Sequence, residues 1–188
     1  IYFFSIGYGF AISVLSMAIL VIFREVMTWP SALFCLLMFV YGIRLGLFLW
    51  LRERMSSSYK KILYQPANTT KKPFWVMLMI WVSCALLYVG QLSPVTFYLS
   101  NQRAGLNVSE GWMWAGAVIA TLGVLTEVVA DAQKSAAKRI NAHRFVDTGL
   151  YRFVRCPNYF GEILMWTGSF IICFGACCTF VQWIIALL

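Results

Sequence analysis

Five apolar stretches, at about residues 2–23, 30–51, 74–99, 111–130 and 159–188, run through this chain. Each is long enough, as a helix, to cross a hydrocarbon core roughly 30 Å thick, which takes about 20 residues. No stretch alternates polar and apolar residues as a membrane strand must, so helices are the only spanning structure the pattern allows. The chain is 61% hydrophobic and 12% charged over 188 residues. Average soluble domains are about 45–50% apolar and about 25% charged, so one water-soluble core of this size cannot hide such a surface. The expectation is an all-α, multi-pass transmembrane bundle of about five visible spans, forming a single domain over residues 1–188. The sequence opens on Ile1 and stops at Leu188 inside an apolar run. It therefore reads as a piece truncated at the C-terminus, in which no leader can be judged.

The formal charge is +8, but the basic residues do not line a soluble face, and no nucleic-acid partner is expected. Segment 52–73 holds Arg52, Arg54, Lys60, Lys61, Lys71 and Lys72, and segment 131–157 holds Lys134, Lys138, Arg139, Arg144, Arg152 and Arg155. The other connections hold only Arg24 and Arg103, and Arg44 lies within the second apolar run. Basic residues concentrate in cytoplasmic loops, so both long loops should face the cytoplasm. Five spans then put the N-terminus inside and the visible C-terminus outside, in what reads as a bacterial inner membrane. The six cysteines lack CxxC spacing and five lie in apolar runs, where they act as small packing residues. His143 is the only histidine, without Cys or His neighbours, so no metal site is expected. Gly42 and Gly46 form a GxxxG on the second span, a sign of close helix packing. Gly7-Tyr-Gly9 begins like a dinucleotide fingerprint, but Ile12 stands at the third glycine and no strand precedes it.

Ionisable groups at membrane depth are the best pointers to function, because each is costly without a partner. Glu127, Asp131, Lys134 and Lys138 are spaced four, three and four apart, which places them along one helical face. They form either a self-paired helix end or the wall of a polar site. Arg152 and Arg155 stand three apart and suit phosphate oxygens with forked donors, or else contact anionic lipid. Pro157 suits the first position of a helix, and Asn158 and Glu162 then fall one turn apart. Arg44 either snorkels to the interface or finds a partner inside the bundle, Glu127 or a bound ligand.

The run from Gly149 to Glu162, GLYRFVRCPNYFGE, resembles the GLWRYSRHPNYFGE signature of the steroid 5α-reductase-like membrane proteins, most closely an uncharacterised bacterial branch. Glu127…Ala130-Asp131-Ala132-Gln133-Lys134 resembles that branch's E…AD.Q pattern, and Tyr41-Gly42-Ile43-Arg44-Leu45 its WGLRL helix. The likeness covers most of the chain. The signature is shared with sterol C14-reductases and, more loosely, with isoprenylcysteine carboxyl methyltransferases. In the reductases the resemblance implies NADPH in a cytosol-facing cavity between the later helices. Asp131, Asn158 and Tyr159 would then touch the cofactor, with Arg155 near a phosphate. Two departures stand out: Cys156 replaces the usual His, and the basic, aromatic tail after the last helix is absent.

These readings lead to an NADPH-dependent reductase of a carbon–carbon double bond in a lipid-like substrate, such as an enone. Lys134 and Arg152 join the expected cofactor contacts, and Tyr41 and Arg44 face the substrate. Tyr159 or Glu162 would donate to the carbonyl oxygen as charge grows there; a carboxyl at membrane depth resists ionising. Two rival readings remain at this stage. One is an S-adenosylmethionine-dependent methyltransferase of the isoprenylcysteine type, which the shared signature permits. The other is a non-catalytic membrane scaffold with a decayed site, which Cys156 and the missing tail favour. The charge pattern makes one prediction of its own. Cysteines placed at Ser57 and Ser135, on a background without reactive native thiols, should resist an impermeant thiol reagent in intact cells. Ready labelling of both would invert the topology.

Overall fold

A computed structural model describes residues 2–55, 73–141 and 144–187. The chain runs as α1 (Tyr2–Ile22), α2 (Trp29–Met55), α3 (Phe74–Arg103), α4 (Glu110–Ile140), a short 3-10 turn (Gly149–Arg152), α5 (Pro157–Ala176) and α6 (Phe180–Leu187). Among the described residues there is no strand. Four helices contain runs long and apolar enough to cross a membrane: Trp29–Phe48, Phe74–Arg103, Glu110–Ile140 and Pro157–Ala176. The protein is an integral membrane protein with an all-helical fold. The first expected span is a helix, of which Gly9–Ile22 is the shorter apolar part.

Helices approach most closely where side chains are smallest. A Cβ on Gly9 would meet the Gly46 nitrogen at 2.5 Å and the Gly42 carbonyl at 2.8 Å. The GxxxG of α2 therefore packs onto α1, and Gly9 belongs to that contact. The α4–α5 contact is the most extensive in the fold, and it follows the same rule twice. A Cβ on Gly123 would meet the Gly161 carbonyl at 2.5 Å, and one on Gly116 would meet the Gly168 carbonyl at 2.5 Å. In hydrocarbon, lipid competes with every apolar contact, so close backbone approach supplies the dispersion that holds helices together. α3 packs mainly on α5 and then on α1, and Phe34, Met38, Val95, Tyr98, Met113 and Met165 close the core between the pairs.

Three boundaries differ from the sequence reading. The fourth helix does not end near residue 130: α4 continues to Ile140, which puts Lys134 and Lys138 on the helical face their spacing predicts and carries Arg139 on the same helix. Its composition beyond Asp131 is rich in Ala, Gln, Lys and Arg, all good helix formers. The second helix likewise continues to Met55, while most of the expected basic loop 52–73, and His143, lie outside the described residues. The last stretch, expected as one span over 159–188, is a helix of 20 residues followed by a break and a helix of 8. Thr179 and Gln182 explain the break. The Gln182 side-chain oxygen accepts from the Cys178 and Thr179 N–H groups at 2.7 and 3.2 Å, and the Thr179 hydroxyl accepts from the Gln182 N–H at 3.3 Å. This is a capping box that starts a new helix. Asn101 fixes the break in space by donating to the Ala176 carbonyl at 2.6 Å and to Gln182 at 3.1 Å.

The glycine contacts carry a direct test. Gly to Ala inside a helix normally stabilises by about 1 kcal/mol. Gly123→Ala should instead lower stability, by about 1–3 kcal/mol, because its Cβ has no room. Gly111→Ala, whose Cβ would touch only the Ser109 hydroxyl at 3.8 Å, should not. Thermal unfolding of both in detergent would show the opposite signs.

Candidate functional site

The site is built where α4 leaves the apolar layer and α5 enters it. α5 begins with Pro157 at its first turn, where the missing N–H costs nothing. Gly161, one turn further, lets α4 lie directly against this helix start. A Cβ there would meet the Glu127 nitrogen at 2.8 Å and the Glu127 Cβ at 3.1 Å. The signature's glycine thus seats the acid of the other motif.

Glu127 and Asp131, one turn apart on α4, both receive the guanidinium of Arg44 from α2. Arg44 Nη1 donates to Glu127 Oε1 at 3.0 Å, and Nη2 donates to Asp131 Oδ2. The three side chains are 24, 11 and 21% exposed, so this is a largely enclosed cluster. Glu127 Oε2 is buried with no partner among the described residues. Tyr41, buried on α2, lies within the electrostatic reach of Glu127, Glu162 and Arg44, and Tyr88 on α3 lies within that of both glutamates.

The 3-10 turn docks onto the outer part of α4. Gly149 adopts a φ of +63°, a conformation open to glycine at little cost. A Cβ there would also meet the Gln133 amide at 2.5–2.7 Å. That amide oxygen accepts from the Leu150 N–H at 2.9 Å, and the Tyr151 hydroxyl donates to the Ala130 carbonyl at 3.3 Å. The two sequence patterns are therefore two sides of one joint, with Ala130 and Gln133 receiving Gly149, Leu150 and Tyr151. Burial first, then the neighbouring Asp131 and Cys156, raise the Tyr151 hydroxyl above its ordinary value, so it stays a donor. Further out, Lys138 donates to the Arg144 carbonyl at 2.7 Å, and Arg144 pairs with Asp147 at 2.8 Å.

This joint leaves an open groove of about 720 Å³ lined by Lys134, Lys138, Tyr151, Arg152, Arg155, Cys156, Asn158 and Tyr159, among others. Five of the six expected cofactor residues are brought together here: Lys134, Arg152, Arg155, Asn158 and Tyr159. The sixth, Asp131, is turned to Arg44 in the inner cluster. Among the described residues, Lys134, Arg152 and Arg155 have no carboxylate partner, and the Asn158 amide has no hydrogen bond. The two expected proton donors separate. Tyr159 lines the groove at 62% exposure, whereas Glu162, also exposed, belongs electrostatically with Tyr41, Tyr88 and Glu127. Arg44 reaches a partner inside the bundle rather than snorkelling, and that partner is both acids together. Tyr88 was not anticipated from the sequence, because a tyrosine in an aromatic-rich apolar run carries no signal of its own.

Residues 5–187 match a family described as a protein of unknown function, DUF1295. The chain belongs to this family. It falls within the steroid 5α-reductase-like superfamily, in agreement with the resemblance carried by residues 149–162. No curated protein and no solved structure matches the chain.

The enclosed cluster has a measurable signature. Removing one partner from a buried ion pair strands the other charge, at a cost of about 3–5 kcal/mol; Arg44→Ala should lie at the lower end, since the guanidinium is 24% exposed. Arg44→Ala combined with Glu127→Gln and Asp131→Asn should recover most of that loss, because no stranded charge remains. If thermal unfolding shows the triple variant no more stable than Arg44→Ala, the cluster is not what couples α2 to α4.

Proposed function

We propose that this protein is an NADPH-dependent reductase of a carbon–carbon double bond in a lipid-like, enone-type substrate. It would work in the bacterial inner membrane with its cofactor groove on the cytoplasmic side. One observation carries the reading: Lys134, Arg152 and Arg155, without carboxylate partners among the described residues, converge with the Asn158 amide on one groove. Such a donor set fits a diphosphate and an adenosine phosphate. S-adenosylmethionine bears a sulfonium and a single carboxylate, and does not call for several phosphate-reading cations.

Within this reading the residues divide by depth. Arg152, Arg155 and Lys134 hold phosphates on the aqueous side. Asn158, at the start of α5, orients the carboxamide of the nicotinamide ring, and the bound cofactor supplies the hydride. The chain itself must hold a proton donor near the oxygen on which charge grows. Tyr159 in the groove is one donor; the deeper group of Tyr41, Tyr88 and Glu162 offers others. Arg44 fixes Glu127 and Asp131, and through them the wall that α4 presents to the substrate. Cys156 stands where the superfamily signature has His, so that position supplies no imidazole.

Titration of the purified full-length protein with NADPH and with S-adenosylmethionine tests the class. Binding of NADPH alone supports the reductase, S-adenosylmethionine alone a methyltransferase, and neither a scaffold. Residue roles follow from variants. Arg155→Ala should weaken NADPH binding by about 1.5–3 kcal/mol, the scale of a hydrogen bond to a charged group, or roughly ten- to a hundredfold. Arg155→Lys should recover only part, since an ammonium lacks the planar fork. Asn158→Ala should lose more in single-turnover rate than in affinity, because a loosely held ring reacts poorly. Unchanged NADPH affinity in both Arg155→Ala and Arg152→Ala would leave these arginines as topology signals only.

A further inference from the structure

A second cavity, of about 620 Å³, lies between α3, α5 and α6, within the apolar layer. Its walls are almost wholly hydrocarbon, from Leu86, Leu87, Trp166 and Phe170 among others. Leu86, Leu87 and Val89 are half or more exposed on the same stretch of α3, so the chamber opens sideways toward the bilayer.

One polar group in it is unsatisfied. Gln91, on the chamber wall, is 1% exposed, and neither its amide nitrogen nor its amide oxygen has a partner among the described residues. The two serine hydroxyls at the chamber are occupied, and the Trp166 indole offers only a donor. Ser83 donates to the Met79 carbonyl at 2.8 Å, and Ser169 donates to the Gln91 backbone carbonyl. A water here would find too few partners to replace those it leaves, while an unpaired amide in hydrocarbon is costly. The amide therefore offers one donor and one acceptor to a single visiting group.

The backbone beside it gives an independent sign. Gly90 also lines the chamber, in the interior of α3, and a Cβ there would meet nothing within 4 Å. At Gly9, Gly42, Gly116, Gly123, Gly161 and Gly168 a helix neighbour forbids a side chain. At Gly90 no part of the described chain does, although glycine weakens a helix. Pro94, on the same wall, has no N–H for the Gly90 carbonyl, and the Ser93 hydroxyl takes that role at 2.8 Å. The helix is thus locally irregular, and lacks a side chain, where it faces the chamber.

We propose that this chamber is a binding site for a bilayer-borne apolar molecule with one hydroxyl, which donates to the Gln91 amide oxygen and accepts from its NH2 group. Hydrocarbon walls hold the chain and the amide reads the head. The site is separate from the cationic groove and does not depend on the reductase reading. Along α5, Trp166 and Ser169 lie two to three turns beyond Asn158, roughly 12–16 Å at the rise of a helix.

Photolabelling of the full-length protein in liposomes, without NADPH, tests the site. Two probes matched in length are needed, a diazirine-bearing hexadecanol and the corresponding hexadecane. The alcohol should label the peptides of Leu86–Leu87 and Trp166–Phe170 at least tenfold more than the alkane. Gln91→Leu should abolish that preference while leaving alkane labelling unchanged. Gly90→Phe should cut alcohol labelling at least tenfold by filling the chamber, with no loss of thermal stability; this variant decides the matter if Gln91→Leu fails to fold. Equal labelling by the two probes in the native chain would overturn the site. So would a preference that survives Gln91→Leu, or labelling that survives Gly90→Phe.

Discussion

Arg44 joins two helix pairs that meet elsewhere over little surface. Within each pair, α1 with α2 and α4 with α5, glycines bring the backbones into contact, and packing alone suffices. Between the pairs, α2 and α4 touch far less. There the guanidinium spans Glu127 and Asp131. At membrane depth an unpaired charge of either sign is costly, so once α4 carries its acids, α2 must bring a cation to them. The pairing fixes the rotation of both helices as well as their separation, because a planar fork satisfies two carboxylates in few geometries.

That pairing also sorts the charges of the site. The acids of α4 are spent inside, on Arg44, whereas the bases further along the same helix remain outside. Lys134 follows Asp131 by less than one turn, and the 3-10 turn docked on Ala130 and Gln133 adds Arg152 and then Arg155 on the same side. Had Asp131 been free to face the groove, it would have offset much of their charge. With it withdrawn, the carboxylate lining the groove is that of Asp147, which pairs with Arg144 and leaves Lys134, Arg152 and Arg155 beside the Asn158 amide. The excess of basic groups at the groove is thus a consequence of a contact made to hold the helices together.

The sequence made the broad fold plain and left the boundaries hidden, for physical reasons. Apolar length announces a span, but nothing in hydropathy says that α4 should persist through Asp131–Ile140; helix propensity in that polar run carries the information. The break after Ala176 was legible in Thr179-Phe180-Val181-Gln182, a capping box overlooked because the surrounding residues are apolar. At the site, spacing along one helix placed Lys134 correctly beside its neighbours, and the signature gathered Arg152, Arg155, Asn158 and Tyr159. The destination of Asp131 could not be read that way, since it depends on a residue 87 positions distant. Gln91 stood in plain view as an amide within an apolar run, but its meaning lies in the lack of a partner, which only three dimensions supply.

Cys156 bears on the same balance of charge. It occupies the cap position of α5, with no side-chain hydrogen bond to the helix start. Ser, Thr, Asp or Asn there would accept from one of the first N–H groups and so use up a donor. A thiol is a poor acceptor, and the first turn of α5 keeps its N–H groups available beside Asn158. Those groups carry the positive end of the helix dipole, and Cys156 and Asn158 both line the groove. Replacing a His at this point therefore removes an imidazole without adding a competitor for the helix start. In the proposed reading, anion binding at the groove rests on the converging cations and the uncapped turn together, and does not require the imidazole that the superfamily signature usually has.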